Sequence, residues 1–175
     1  MGSRSEINFA LFPKGRSAIN EVDCAYIAGF LDGDGSLMLQ IKKRKDLKNR
    51  SWRFMCTICF YQDKRHSQPL EWFKEIFGIG YISHRKDGMT ELRINGFKQV
   101  HSILKLLIPY IKFKREQALA IAEACEILEG KRAKDLSENE LRRLVFLVHK
   151  VQENNYVTKA KKTEEHLLLI LGLTP

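Results

Sequence analysis

The feature that most constrains the fold is a junction between two hydrophobic patterns, separated by a short acidic, glycine-rich run. Residues 25–31 are apolar and rich in small side chains, and residues 32–36 read D-G-D-G-S. From Leu37 to Lys42, apolar and polar side chains then alternate, which is the period of a β-strand with one covered face. The pattern predicts a helix from about residue 21 that stops at the glycines and passes directly into a strand. Gly33 and Gly35 are expected to take positive φ at this exit.

Two acids, Asp32 and Asp34, lie at the end of the predicted helix, where they face the negative end of its dipole at a cost of up to ~1 kcal/mol each. The simplest compensation is a cation, and oxygen ligands suit a hard divalent ion such as Mg²⁺. A calcium loop does not fit, because its sixth position would be Leu37 instead of Gly and its twelfth Lys43 instead of Glu. A polar helix stop with two solvated acids is the alternative.

The charge of the chain points to a polyanionic partner. Thirty Lys and Arg against 21 Asp and Glu give a net charge of +9, which suits nucleic acid first and an anionic membrane surface second. No apolar run approaches the ~18 residues of a membrane span. A membrane-surface protein needs a basic amphipathic helix, and none is evident. The remaining alternative is that the basic residues only confer solubility.

The cysteines indicate a reducing compartment. Cys56 and Cys59 have the C-x-x-C spacing of a zinc or redox motif, but no second pair completes a zinc site. Their segment has a strand pattern, which would point the two side chains to opposite faces. With Cys24 and Cys125 also in apolar surroundings, we expect four free thiols in an intracellular protein. No secretory signal is evident in residues 1–20, so we expect the protein not to be secreted.

The rest of the chain predicts an α+β fold. Residues 1–20 are expected to form a loosely ordered N-terminal arm, and residues 21–175 a single domain. Asn20 is a candidate N-cap for the first helix, and Ser137 with Glu140 forms a capping box for a later one. The patterns predict further strands over Trp52–Tyr61, 78–85 and Met89–Asn95, and further helices over 68–77, Phe97–Leu107, 114–129, 138–153 and 163–171. Gly130 is a suitable residue to end the helix over 114–129.

The four strands predict an antiparallel sheet with one face covered by helices and one polar face. Gln and Arg suit base edges in the major groove of DNA, and Lys and Arg also suit phosphate. A polar face alone is also consistent with simple solvation, because antiparallel sheets can leave one face to water. We predict a DNA-binding surface formed by Gln40, Lys42, Arg44, Arg53, Thr57, Tyr61, Ser83, Arg85, Glu91 and Arg93.

The stretch from Ile27 to Gly35 reads I-A-G-F-L-D-G-D-G and resembles the signature of the LAGLIDADG homing endonucleases. The predicted order αββαββα, followed by C-terminal helices, is that of the LAGLIDADG fold. The sequence contains one such motif and no internal repeat. Members of the family with a single motif act as homodimers, so the resemblance implies that Ala25, Ala28 and Gly29 lie where two motif helices pack across a two-fold axis.

The resemblance also implies roles for individual residues. Asp34, the second acid of the motif, would be a metal ligand together with the backbone carbonyl of Gly33, and Asp32 would be structural. Gln62 matches a polar residue that orders solvent near the metals. Lys114 matches a lysine that polarises the nucleophilic water or stabilises charge. Where the family often has Arg, this chain has His66, which either substitutes for it or is simply exposed.

The resemblance implies a homodimeric, site-specific endonuclease that cuts both strands of a long, nearly palindromic DNA target and promotes intron mobility. Mg²⁺ would be the cofactor; Mn²⁺ could replace it, and Ca²⁺ would bind without supporting cleavage. An organelle (mitochondrion or chloroplast) or the nucleus is the expected location. The alternative is a binding protein, either an RNA maturase derived from the same family or a DNA-binding protein without nuclease activity.

Overall fold

The first helix begins where the sequence predicts and ends later than predicted. In this computed structural model, which describes residues 19–43, 52–155 and 161–175, α1 spans Glu21–Asp34. At its start the side chain of Asn20 accepts a hydrogen bond from the backbone N–H of Asp23 at 2.9 Å, which confirms the predicted N-cap. At its end the helix continues through Gly33 to Asp34. Of the predicted N-terminal arm, residues 1–18 lie outside the described residues.

The predicted positive φ at the two motif glycines is wrong. Gly33 is helical, and Gly35 caps α1 in an extended conformation, with φ −116° and ψ 169°. The need for glycine at position 35 is steric, because a Cβ there would lie 2.6 Å from Leu31 Cδ1 and 2.8 Å from Leu31 Cα. The helix therefore passes into the strand by a turn that is too close to its own last turn for any side chain.

The predicted order of elements is confirmed. Two short 3₁₀ turns, Lys64–His66 and Ala133–Asp135, accompany the main elements. After α1 these are β1 (Gly35–Lys43), β2 (Trp52–Asp63), α2 (Gln68–Phe77), β3 (Tyr81–His84), β4 (Met89–Asn95), α3 (Phe97–Leu107), α4 (Arg115–Leu128), α5 (Glu138–Glu153) and α6 (Glu164–Ile170).

The four strands form one antiparallel sheet in the order β1-β2-β4-β3. Inward side chains such as Leu37, Ile58 and Leu92 are fully buried and form one core with the helices. β3 is shorter than the predicted 78–85, because Gly78 ends α2 in the left-handed conformation and residues 79–80 only connect it to the strand. Gly80 has φ +102°, and a Cβ there would lie 2.8 Å from Leu92 Cδ1.

The start of α5 and the end of α4 have the features that the sequence predicts. Ser137 and Glu140 form a reciprocal capping box at the start of α5, with each side chain accepting from the other residue's backbone N–H. Gly130, just after α4, has φ +73°. None of the described helices has both the length and the apolar character needed to cross a membrane.

Candidate active site and nucleic-acid interface

The carboxylate of Asp32 is hydrogen-bonded to the backbone of a segment that is distant in sequence. Its carboxylate accepts hydrogen bonds from the N–H groups of Lys112 at 2.6 Å, Phe113 at 3.1 Å and Lys114 at 3.0 Å. These three residues directly precede α4, so the first acid of the motif satisfies donors at the start of that helix. The arrangement favours a structural role for Asp32, and it brings Lys114 beside the end of α1.

Asp34 has a different environment. Its side chain is exposed, and it lines an open cleft of about 490 Å³ between the end of α1, the start of β1 and the start of α4. No hydrogen bond or ion pair engages its carboxylate within the described residues. The cleft is lined by Gly33, Asp34, Gly35, Ser36, Met38, Tyr61, Phe113, Lys114, Gln117, Asn154 and Asn155.

Lys114 lies in the same cleft and contacts the motif directly. Its ammonium group donates a hydrogen bond to the backbone carbonyl of Asp32. Burial lowers the pKa of Lys114, and this effect outweighs the nearby carboxylates of Asp32 and Asp34, which act to raise it. The structure thus places a half-buried amine next to an exposed carboxylate, a combination that occurs often at functional sites.

The donor set suits a hard divalent cation only in part. Asp34 offers a free carboxylate, and the last carbonyls of α1 have no partner within the helix. However, residues 19–43, 52–155 and 161–175 contain no group of three or more His, Cys, Asp or Glu that could hold a metal ion. Because Asp32 is engaged elsewhere, one described chain supplies one free acid at this place. The site fits a metal if further oxygen ligands come from the carboxylate of another copy or from a phosphate.

Gln62 and His66 lie outside the cleft. Gln62 is the penultimate residue of β2, and its side-chain oxygen accepts from the backbone N–H of Asp63 at 2.8 Å. His66 is exposed in the 3₁₀ turn that follows. Neither residue is among those that line the cleft around Asp34, so their predicted roles at the metal site stay predictions.

The outward face of the sheet is ordered in rows by its strand register. The row farthest from Asp34 pairs Lys42 with Arg53, both of which are exposed. Gln40 lies in the next row, and Arg93 is opposite both Cys59 and Tyr81. The hydroxyl of Tyr61 is 3.2 Å from that of Ser36, beside the cleft. Ser83 and Arg85 lie toward the β3–β4 turn, where Arg85 forms a 2.7 Å ion pair with Asp87.

Two residues predicted to contact DNA are corrected by the structure. Thr57 is 1% exposed, and its hydroxyl donates to Asn95 Oδ1 at 2.8 Å. Glu91 is 8% exposed and accepts from Arg93 Nε at 2.9 Å. Both lie on the outward face, but neighbouring side chains cover them because they occupy its middle. Their role is to orient Asn95 and Arg93. Arg44 lies outside the described residues.

Tyr81 was missed by the sequence prediction. It is 49% exposed and lies on the same face, opposite Arg93. It shares the parity of Ser83 and Arg85 along the chain, so the alternation of the strand could have identified it.

The exposed face of α1 is smooth and apolar. Ala25 and Gly29 are exposed, as an interface requires, but Ala28 is fully buried. The predicted place of Ala28 at the interface is therefore wrong, because its position on the helix turns it into the core. The exposed stripe instead contains Val22 and Tyr26, which are 77% and 51% exposed.

The sequence prediction did not include Val22 and Tyr26, although both follow the 3.6-residue helical period from Ala25 and Gly29. A search for small side chains alone does not find them. Phe113 is 89% exposed and belongs to the Asp32 clamp, which consists of the Asp32 carboxylate and the three backbone N–H groups that donate to it. No sequence pattern marked it. Large apolar side chains are thus exposed both at the start of α1, at Val22 and Tyr26, and beside its end, at Phe113.

Comparison with known proteins gives a consistent result. The model of the family described as LAGLIDADG endonuclease matches residues 27–127, more than half of the chain. DNA endonuclease I-CvuI of Chlorella vulgaris is 33% identical over 105 residues, which are 59% of this chain and 64% of that protein. DNA endonuclease I-CreI of Chlamydomonas reinhardtii is 30% identical over 107 residues, 59% of this chain and 62% of that protein. The match therefore spans less than two thirds of the length of either relative.

Solved structures are similar over more of the chain. The homing endonuclease I-CvuI in complex with the I-CreI target has a TM-score of 0.75 at 26% identity, covering 89% of this chain and 98% of that one. The same enzyme has also been solved with its own target in the presence of Ca. The archaeal intron-encoded homing endonuclease I-Vdi141I, complexed with DNA, has a TM-score of 0.72 at 24% identity, covering 87% and 96%. This last likeness shows the fold alone.

Proposed function

This chain belongs to the LAGLIDADG endonuclease family, and from that premise we propose that it is a site-specific DNA endonuclease that acts as a homodimer with Mg²⁺. The observation that carries the proposal is that the two motif acids have different environments. Asp32 is bound by three backbone N–H groups, whereas Asp34 is free in a cleft that also holds Lys114. A protein that only bound nucleic acid would have no need for a free carboxylate facing a polyanion.

Two copies would complete the site. The exposed stripe of α1 ends at Gly33 and Asp34, so packing two such stripes across a two-fold axis would bring the two Asp34 side chains together. Gly29 is exposed and has open space around its Cβ position, which allows close approach of a second helix. Dehydration of Val22, Tyr26 and Phe113 would favour the association, at roughly 25 cal/mol per Å² of apolar area buried.

Asp34 and the carbonyl oxygen of Gly33 would hold the divalent ion. When bound, such an ion neutralises charge on a phosphate and acidifies a bound water. The chain's own contribution is positional. Asp32 holds the segment before α4, so that the Lys114 amine stays beside the cleft and can stabilise negative charge on a phosphate there. Lys42 and Arg53 would bind the duplex backbone farther along the sheet.

The test is cleavage of a plasmid library that carries a randomised duplex insert, incubated with the chain and Mg²⁺, with Ca²⁺ or with a chelator. We expect a subset of plasmids to be linearised in Mg²⁺ and bound but uncut in Ca²⁺. The Asp34→Asn variant should bind the recovered duplex and not cut it. Glu123→Gln, which removes an acid paired with Arg143 on the far side of α4, is the matched control and should cut normally.

Two outcomes would contradict the proposal. Cleavage by Asp34→Asn at the wild-type rate would exclude its assigned role. Absence of cleavage of any library member by the wild type, with tight binding of structured RNA, would favour the maturase alternative.

A further inference from the structure

The methionines of this chain have an unusual distribution. The chain has four, and the three in the described part are Met38, Met55 and Met89. All three lie on the outward face of the sheet, at the same parity as Gln40, Arg53 and Arg93, and each is partly exposed. The buried core contains no methionine among the described residues, although it contains many Leu, Ile, Val and Phe side chains. Methionine normally fills gaps in a core.

Two of the three form one patch. Met38 on β1 is opposite Thr57, and Met55 on β2 is opposite Gln40, so the two methionines are diagonal neighbours on adjacent rows. Side chains in this relation are within reach of each other. Met38 also lines the cleft around Asp34. The apolar patch therefore lies between the candidate catalytic cleft and the basic row formed by Lys42 and Arg53.

The chemistry of the major groove restricts what such a patch can contact. Each base pair presents hydrogen-bond donors and acceptors at its edge, and the only apolar group is the C5 methyl of thymine. A thioether side chain pressed against a G·C pair would remove water from polar groups without replacing their hydrogen bonds. Against thymine, the same side chain would bury a methyl group instead.

We infer that Met38 and Met55 are specificity-determining residues that select thymine by contact with its methyl group; this rests on the proposed DNA-cleaving function. Outward positions in successive rows are ~6.6 Å apart, twice the rise of a strand. The rise of B-DNA is ~3.4 Å per base pair. The two methionines therefore select thymines about two base pairs apart in each half of the target, on the side of the cleavage position where the sheet contacts the groove.

The test uses the full chain and a duplex recovered by binding selection from a randomised library in Ca²⁺. Thymine is expected at two such positions in each half-site. Each thymine is then replaced by uracil, which removes only the methyl group and keeps all hydrogen-bonding groups. We expect binding to weaken about fourfold for each methyl removed, from the transfer free energy of one buried methyl(ene) group.

Variants connect each effect to its residue. In Met38→Gln, uracil and thymine at the position read by Met38 should bind equally, while the position read by Met55 keeps its preference. Met55→Gln should show the reverse. Met38→Leu, which stays apolar, should retain the preference for thymine.

The two levels of the proposal fail separately. If wild type binds uracil and thymine duplexes equally, or if Met38→Gln keeps the full methyl effect, the inference is wrong and the endonuclease proposal stands. If no DNA duplex is selected at all, the endonuclease proposal fails and the inference fails with it.

Discussion

Replacing Asp32 should weaken the fold through one identifiable set of hydrogen bonds. Its two carboxylate oxygens accept from Lys112, Phe113 and Lys114. A hydrogen bond to a charged group contributes ~1.5–3 kcal/mol to stability. The clamp is only half-buried and water can replace part of it, so we take about 1 kcal/mol per bond. Dipole effects roughly cancel, because Asp32 lies at the C-terminus of α1 and the N-terminus of α4.

The expected loss in unfolding free energy is about 3 kcal/mol for Asp32→Ala. Asp32→Asn keeps one acceptor oxygen. If this oxygen accepts from Lys112 and Phe113, the variant loses only the hydrogen bond from Lys114. We therefore expect its unfolding free energy to fall by about 1–2 kcal/mol. Urea unfolding followed by circular dichroism measures both values. Losses below about 0.5 kcal/mol for Asp32→Ala, within the range of ordinary surface changes, would refute the clamp as a stabilising element.

Three further results are expected. Gly29→Leu should raise the unfolding free energy of the protomer by roughly 1 kcal/mol, because helix propensity improves and the Cβ position is open. Light scattering should nevertheless show that this variant no longer forms dimers. A stable dimer of the variant would exclude this helix face as the interface. Burial lowers the pKa of Lys114, so between the lowered pKa and the ordinary one the unfolded chain binds more protons than the folded chain. Wild type should therefore gain stability relative to Lys114→Met as pH rises through that window. A constant difference in unfolding free energy between the two proteins across alkaline pH would contradict this. Lys131 and Ser137 lower the pKa of Glu140 from 4.5 to about 2, so the stability that Glu140 adds is complete above pH 4.5 and is lost as pH falls toward 2. In acid unfolding, the difference in unfolding free energy between wild type and Glu140→Gln should shrink over that range. A difference that persists below that range would contradict the stabilising role of Glu140.

The element order could be predicted because local signals agreed with the tertiary structure. Asn20 and Ser137 mark helix starts through hydrogen bonds within a few residues, and Gly130 follows a helix end with positive φ; all three agree with the prediction. Strand alternation also placed Leu37 and its neighbours in the core. The predicted exit from α1 is wrong because a glycine at a helix end does not require positive φ. Gly35 is required instead by a contact with Leu31, which depends on how closely strand and helix approach.

The site was less accessible to sequence reasoning. Asp32 bonds to residues eighty positions away, so no local pattern could reveal that clamp. Ala25 and Ala28 have the same small side chain, but the helical period separates the exposed Ala25 from the buried Ala28. Thr57 and Glu91 had the right parity, but parity does not show which positions neighbouring side chains cover.

We expect two copies of this chain to meet on one duplex and to bring their Asp34 side chains to a shared site. Sedimentation equilibrium of the chain on the selected DNA duplex in Ca²⁺ tests this directly. We expect the complex to contain two chains of 20.3 kDa each, and we expect Gly29→Leu to abolish its formation. A complex with a single chain, from a protein that still cuts both strands when Mg²⁺ is added, would contradict it.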